Sequence, residues 1–268
     1  MAMEVTIHDR VMKNETFWDF KGKVDYVDDW FLMASPIPLA LILMAYWSFV
    51  LKLGPKYMET KSAYKLRNVL AVYNIAQIGF SCYLCYVGSN ILLTHGFINK
   101  SCLMDKETDR LTITNATYLY FSAKLTELLD TIFFVLKKNF RQVTFLHVYH
   151  HSLMLATTWL TLKYEPTFNT VFLGTLNSYV HVIMYTYYWL SSFPGLTQYL
   201  WWKKYITKMQ ITQFILIILQ AAASYFFSGC PPSYTLLTCI VINAFLFTGL
   251  FINFYVQSYK KTKSKLKE

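Results

Sequence analysis

The chain has 268 residues, 55% of them apolar and 15% charged, with a formal net charge of +10. A soluble domain carries about 25% charged residues and a disordered chain needs low hydrophobicity. The composition therefore excludes disorder and argues against an ordinary soluble enzyme. A bilayer-crossing helix takes ~20 apolar residues, so seven would use about 140 to 160 and leave about 110 for loops and tails. The expected fold class is an all-α polytopic membrane protein with seven transmembrane helices. It is read as a single transmembrane domain over 1–268, with a lumenal amino-terminal segment over 1–30 and a basic cytosolic tail over 258–268.

In chain order, the first 30 residues carry Glu4, Asp9, Glu15, Asp19, Asp25, Asp28 and Asp29. A cleavable signal peptide would instead need a basic start and an apolar run. Apolar runs then predict seven spans, roughly 33–52, 67–94, 115–137, 143–163, 168–191, 205–228 and 234–257. Leu53-Gly54-Pro55-Lys56 is expected to end the first, Lys163-Tyr164-Glu165-Pro166 to part the fourth from the fifth, and Gly229-Cys230-Pro231-Pro232 the sixth from the seventh. Only Lys137 to Gln142 joins the third to the fourth, which predicts an antiparallel hairpin.

Orientation follows from Lys and Arg. One side holds Lys52, Lys56, Lys61, Lys65, Arg67, Lys137, Lys138, Arg141, Lys203, Lys204, Lys208 and five tail lysines, which is 16. The other holds Arg10, Lys13, Lys21, Lys23, Lys100, Lys106, Arg110 and Lys163, which is 8, together with 11 of the 15 acidic residues. The richer side is read as cytosolic, so the amino terminus is lumenal and the carboxyl terminus cytosolic. The sequons at Asn14, Asn99 and Asn115 fall on the lumenal side. So do Cys102 and Cys230, which are candidates for a disulfide in an oxidising compartment. Cys82-Tyr83-Leu84-Cys85 has a redox-like spacing, but inside an apolar helix it reads as packing. The positive charge is confined to one membrane face and implies anionic lipid or a cytosolic polyanion, not nucleic acid.

Charged groups at bilayer depth cost several kcal/mol unless paired or wet. Four consecutive spans nevertheless carry strongly polar residues: Lys124, Glu127 and Asp130; His147, His150 and His151; Asn177 and His181; Gln210 and Gln213. The three histidines of the fourth span fall within an arc of about 100°. Asn177 and His181 are one turn apart, with Tyr185 and Tyr188 continuing that side. Lys124 and Glu127 are three apart and can pair within their helix, and Asp130 is placed to orient a histidine on a neighbouring helix. One intramembrane histidine is ordinary helix packing; three on one face with a fourth on the next helix point to a shared interior site.

Two chemistries suit such a cluster. His147-Val148-Tyr149-His150-His151 has the H-x-x-H-H spacing of membrane di-iron oxygenases, and three or four histidines with Glu127 or Asp130 are enough for one metal. The metal-free alternative uses one imidazole as nucleophile toward an activated acyl group, with the others as acid, base or orienting groups.

Four stretches carry a resemblance: Lys124-Leu125-Thr126-Glu127-Leu128-Leu129-Asp130-Thr131, His147 to His151, Asn177-Ser178-Tyr179-Val180-His181-Val182-Ile183-Met184-Tyr185, and Thr207-Lys208-Met209-Gln210-Ile211-Thr212-Gln213. In order and spacing the chain resembles the ELO family of very-long-chain fatty acid elongases over residues 25–260, with weaker marks at Leu53-Gly54-Pro55-Lys56 and Tyr73-Asn74. The resemblance implies a 3-oxoacyl-CoA synthase of the endoplasmic reticulum, an acyltransferase that condenses acyl-CoA with malonyl-CoA without a cofactor or metal. It implies six of seven helices closed in a ring around an acyl-CoA tunnel. His150 is then the expected acyl acceptor. His181, Asn177 and His147 would handle protons or oxyanion charge, with His151, Lys124, Glu127, Asp130, Gln210 and Gln213 in support. Lys137, Lys138, Lys203 and Lys204 are expected to meet CoA phosphates. The implied partners are membrane lipid and the reductases and dehydratase of the elongation cycle; a homo-oligomer is left open.

Overall fold

The computed structural model describes residues 25–98, 100, 102–230 and 233–260. Asn14, Asn99 and the tail beyond 260 lie outside the described residues. Seven long helices follow one another among those described: α1 (Pro36–Glu59), α2 (Arg67–His95), α3 (Glu107–Leu136), α4 (Phe145–Tyr164), α5 (Phe168–Ser191), α6 (Lys203–Phe227) and α7 (Tyr234–Tyr255). The described residues contain no strand. Asn115 sits on the exposed side of α3.

The expected break at Gly54-Pro55 is not a break. A π turn, Phe49–Leu53, precedes it and the helix runs on to Glu59. Pro55 offers no N–H and its ring crowds the carbonyl one turn back; the wider turn absorbs the mismatch. Gly54 is needed there because a Cβ would lie 2.7 Å from Val135 Cγ1 of α3. α3 begins at Glu107, well before 115, since Glu107 and Asp109 in its first turn complement the helix dipole. Its end is closed by Lys138 in the left-handed region (φ 56), with Asn139 N–H donating to the Phe134 carbonyl at 2.8 Å. That cap makes the turn into α4 short, and α3 and α4 pack as a hairpin. Thr144 caps α4 by accepting from His147 N–H, and Ser233 caps α7 by accepting from Leu236 N–H.

Four helices are long and apolar enough to cross a membrane: α1, α2, α6 and α7, the last counted to Tyr259. The protein is a membrane protein on that ground. α3, α4 and α5, of 30, 20 and 24 residues, have the necessary length. They are the helices whose apolar character is diluted by the charged, imidazole and amide side chains singled out above.

Their packing explains how that dilution is tolerated. α5 lies against α2, α3 and α6; α4 lies against α3 and touches α7, which packs chiefly on α6. In hydrocarbon, helix association depends on close packing and interhelical hydrogen bonds more than on hydrophobic burial. The α2–α5 seam is very tight, since a Cβ on Gly88 would lie 1.9 Å from Thr175 Oγ1. α1 buries Leu39, Leu43, Tyr46 and Val50 against Phe121, Leu128 and Val148 of the hairpin. Ahead of it, residues 25–35 form a strap across α4: Trp159 Nε1 donates to the Leu32 carbonyl at 2.8 Å, and Lys163 donates to Asp28 and to the Met33 carbonyl. A disulfide joins Cys102, before α3, to Cys230, after α6, with Cα atoms 4.9 Å apart. Cys82 and Cys85 are free thiols on α2, one exposed and one buried.

Candidate active site

α3 and α5 meet through three buried polar contacts at successive turns. Lys124 Nζ donates to Asn177 Oδ1 at 2.7 Å. His181 Nδ1 lies 3.1 Å from Glu127 Oε1. Tyr185 OH donates to Asp130 Oδ2 at 2.7 Å. Residue numbers rise together on both helices, so the two run parallel and i, i+3, i+6 on one faces j, j+4, j+8 on the other. Lys124 also donates to both Glu127 oxygens, at 2.7 and 2.9 Å. Each of these two residues is only 2% exposed. Their charges are thus mutually compensated and further hydrogen-bonded, the condition under which a buried pair is tolerated.

Two sequence expectations change here. The carboxylate beside the histidines is Glu127: its Oε2 is 3.9 Å from His151 Nδ1, in addition to the His181 contact. Among the described residues no histidine pairs with Asp130; Tyr185 takes its place, because the next turn of α5 presents a phenol at that height. Tyr120 was not singled out by sequence. It donates to Asn177 Oδ1 at 2.9 Å, and its ring lies 4.8 Å from Lys124 Nζ. Its position four residues before Lys124, on the same helix face, was the available signal.

The α4 histidines form a compact group, with ring centroids 4.4 Å apart for His147–His151 and 5.4 Å for His150–His151. They divide in surroundings. His147 packs on Phe134 near the α3–α4 turn. His151 faces Glu127. His150 stands edge-on to Phe247 of α7 and lines a cavity of about 90 Å³. That volume exceeds the roughly 10–15 Å³ one water needs. The cavity also meets Asn177, Tyr120 and Gln213, and it continues past Met154 and Thr158 to Thr161, with Leu173, Ile217 and Ile240 on other walls. From residue 150 to residue 161 the helix rises ~16 Å.

Gln210 reaches Met184 Sδ at 3.7 Å and does not line the cavity. Lys137 and Lys203 are exposed, Lys138 and Lys204 half-buried, and none of the four lines the cavity. Among the described residues no group of three or more His, Cys, Asp or Glu is placed to share a metal ion.

These features define a membrane-embedded helical protein with a histidine, His150, bordering a largely apolar cavity between its helices. Residues 31–267 match the ELO family, described as the GNS1/SUR4 family. The chain is 36% identical over 239 residues to very long chain fatty acid elongase 7 of Rattus norvegicus, covering 88% of this chain and 85% of that one. It is 39% identical over 251 residues to elongase 5 of Rattus norvegicus, covering 90% and 81%. To elongase 1 of Homo sapiens it is 38% identical over 236 residues, covering 87% and 85%. The chain belongs to the ELO family of elongases.

Proposed function

We propose that the protein is the condensing enzyme of very-long-chain fatty acid elongation, converting acyl-CoA and malonyl-CoA to 3-oxoacyl-CoA, CO2 and CoA. The observation that carries this reading is the position of His150: of the clustered imidazoles, it is the one that lines the cavity. Family membership supplies the acyl-CoA chemistry, and the cavity supplies an apolar path leading away from a nucleophile.

In the first half-reaction a neutral imidazole nitrogen of His150 attacks the thioester carbonyl carbon. The C–N bond forms, the C–S bond breaks, and CoA leaves as the thiol with the imidazole proton. In the second, malonyl-CoA loses CO2 and the bond pair stays on the α-carbon. That carbon attacks the acyl carbon, the C–N bond breaks, and the imidazole regains a proton. The acyl-imidazole divides one hard step into two easier ones. Asn177 and His181 are fixed by Lys124 and Glu127, so their dipoles need no reorganisation when enolate or oxyanion charge develops. A water-poor chamber makes an unpaired malonyl carboxylate costly and so favours its loss.

On this reading all seven helices cross the membrane, and α2 to α7 form a ring in the order α2, α3, α4, α7, α6, α5, with α1 outside. CoA enters at the cytosolic end, where Lys137, Lys138, Lys203 and Lys204 offer cations to its phosphates. The protein resides in the endoplasmic reticulum, with the reductases and dehydratase of the cycle as its partners. The test is incubation with acyl-CoA alone. One CoA per enzyme should be released without malonyl-CoA, and His150→Ala should abolish release. Release that strictly requires malonyl-CoA contradicts the two-step route.

A further inference from the structure

We infer that Gln213 is a further catalytic residue: its side-chain amide donates a hydrogen bond to the carbonyl oxygen of the acyl group at His150. The inference rests on the reading of His150 as acyl acceptor.

Gln213 is 4% exposed, and its Oε1 is buried without a hydrogen-bond partner. An unpaired buried polar atom costs ~1–3 kcal/mol; as it stands the oxygen calls for a donor, and the amide turned over calls for an acceptor. Other glutamines in these helices are engaged by neighbours. Gln77 Nε2 donates to Thr126 Oγ1 at 3.0 Å, and Gln220 Nε2 donates to Asn169 Oδ1 at 3.1 Å and Ser224 Oγ at 3.0 Å. Gln213 instead borders the cavity that His150 and Asn177 share.

Its neighbour on α6 packs against the same ring as the nucleophile. Phe214 stacks on Phe247, centroids 5.5 Å apart, and His150 stands edge-on to the same ring at 4.9 Å. Asn177, which borders the same cavity, is by contrast fixed in place, since its Oδ1 accepts from both Lys124 and Tyr120. A half-turn of the terminal torsion exchanges the oxygen and nitrogen of a primary amide, so the group can present N–H to an arriving acceptor. In an apolar chamber, the acceptor an acyl group brings to His150 is its carbonyl oxygen. Charge grows on that oxygen as the tetrahedral adduct forms, and one pre-placed donor there changes rate by about 10²–10³.

The test uses the full chain in lipid nanodiscs and a saturated acyl-CoA labelled with 13C at its carbonyl. Gln213→Leu is compared with wild type, and Gln213→Met serves if the leucine variant does not fold. First-turnover CoA release should slow by about 10²-fold while acyl-CoA affinity stays within about threefold, and the adduct's carbonyl stretch should move to higher frequency. Unchanged release rate with an unchanged carbonyl band overturns the assignment. So does a loss confined to thermal stability or to affinity. If wild type releases no CoA without malonyl-CoA, the His150 reading fails separately. The carbonyl band of bound acyl-CoA thioester then decides Gln213: a shift in the variant upholds the donor and no shift removes it.

Discussion

Glu127 holds more of the site together than any histidine, and replacing it is a quantitative test of the buried ladder. In Glu127→Gln the charge partner of Lys124 disappears while the ammonium stays 2% exposed. His181 Nδ1 loses the carboxylate 3.1 Å away. Removing one member of a buried ion pair costs ~3–5 kcal/mol because the survivor is left uncompensated. The remaining contact from Lys124 to Asn177 Oδ1 at 2.7 Å offsets part of this and places the expectation at about 3 kcal/mol. Replacing both partners with apolar residues removes the stranded charge. Lys124→Met with Glu127→Leu should therefore cost about 3 kcal/mol less than the sum of the single changes. Reversible unfolding in mixed micelles, followed by helix content, measures the four proteins of that cycle (wild type, Lys124→Met, Glu127→Leu and the double) together with Glu127→Gln. A Glu127→Gln cost below about 1 kcal/mol, or strictly additive single changes, would show that the pair is wet and that the ladder does not carry the α3–α5 interface. Each single variant should lose activity by about 10²-fold or more, since a displacement of His181 by ~1 Å suffices for that.

Two other outcomes follow from the packing. Gly88→Val should disrupt the α2–α5 seam by about 1–3 kcal/mol or more, and Thr175→Gly in the same chain should restore much of it; thermal unfolding of the two variants checks the pairing. Cys102→Ser should abolish the mobility shift of wild type on non-reducing gels and destabilise by up to about 5 kcal/mol, the chain-entropy value for closing so long a loop. The bond spans 128 residues, but membrane insertion already restricts the unfolded chain, so the measured loss should fall below that ceiling.

Much of this was legible in the sequence. The helices were visible because long, largely apolar runs leave little choice of structure, and the strongly polar residues within them stood out against that background. Partnerships were harder. Lys124 and Glu127 are three residues apart, and helix geometry alone brings them together. The partners of Glu127 and Asp130 depend on which helix lies beside α3. That neighbour includes α5, which is not the next helix in the chain and runs parallel to α3, so the periodicity of α3 could not show that Tyr185 rather than a histidine meets Asp130. Gly54-Pro55 misled for a related reason: the local rule reads it as a stop, whereas a π turn and the close approach of Val135 keep the helix going. Which of three adjacent imidazoles faces open space was likewise set by Phe247 and the α7 wall, far away in sequence.

The central claim is that one ring nitrogen in the α4 cluster carries the fatty acyl group between two half-reactions. Its most direct measurement is intact mass and peptide mapping of enzyme quenched after exposure to acyl-CoA alone. The account predicts one added acyl group per chain, mapped to His150 and lost on adding malonyl-CoA. An unmodified His150, or the acyl group on His147, His151, His181 or a cysteine, would contradict it.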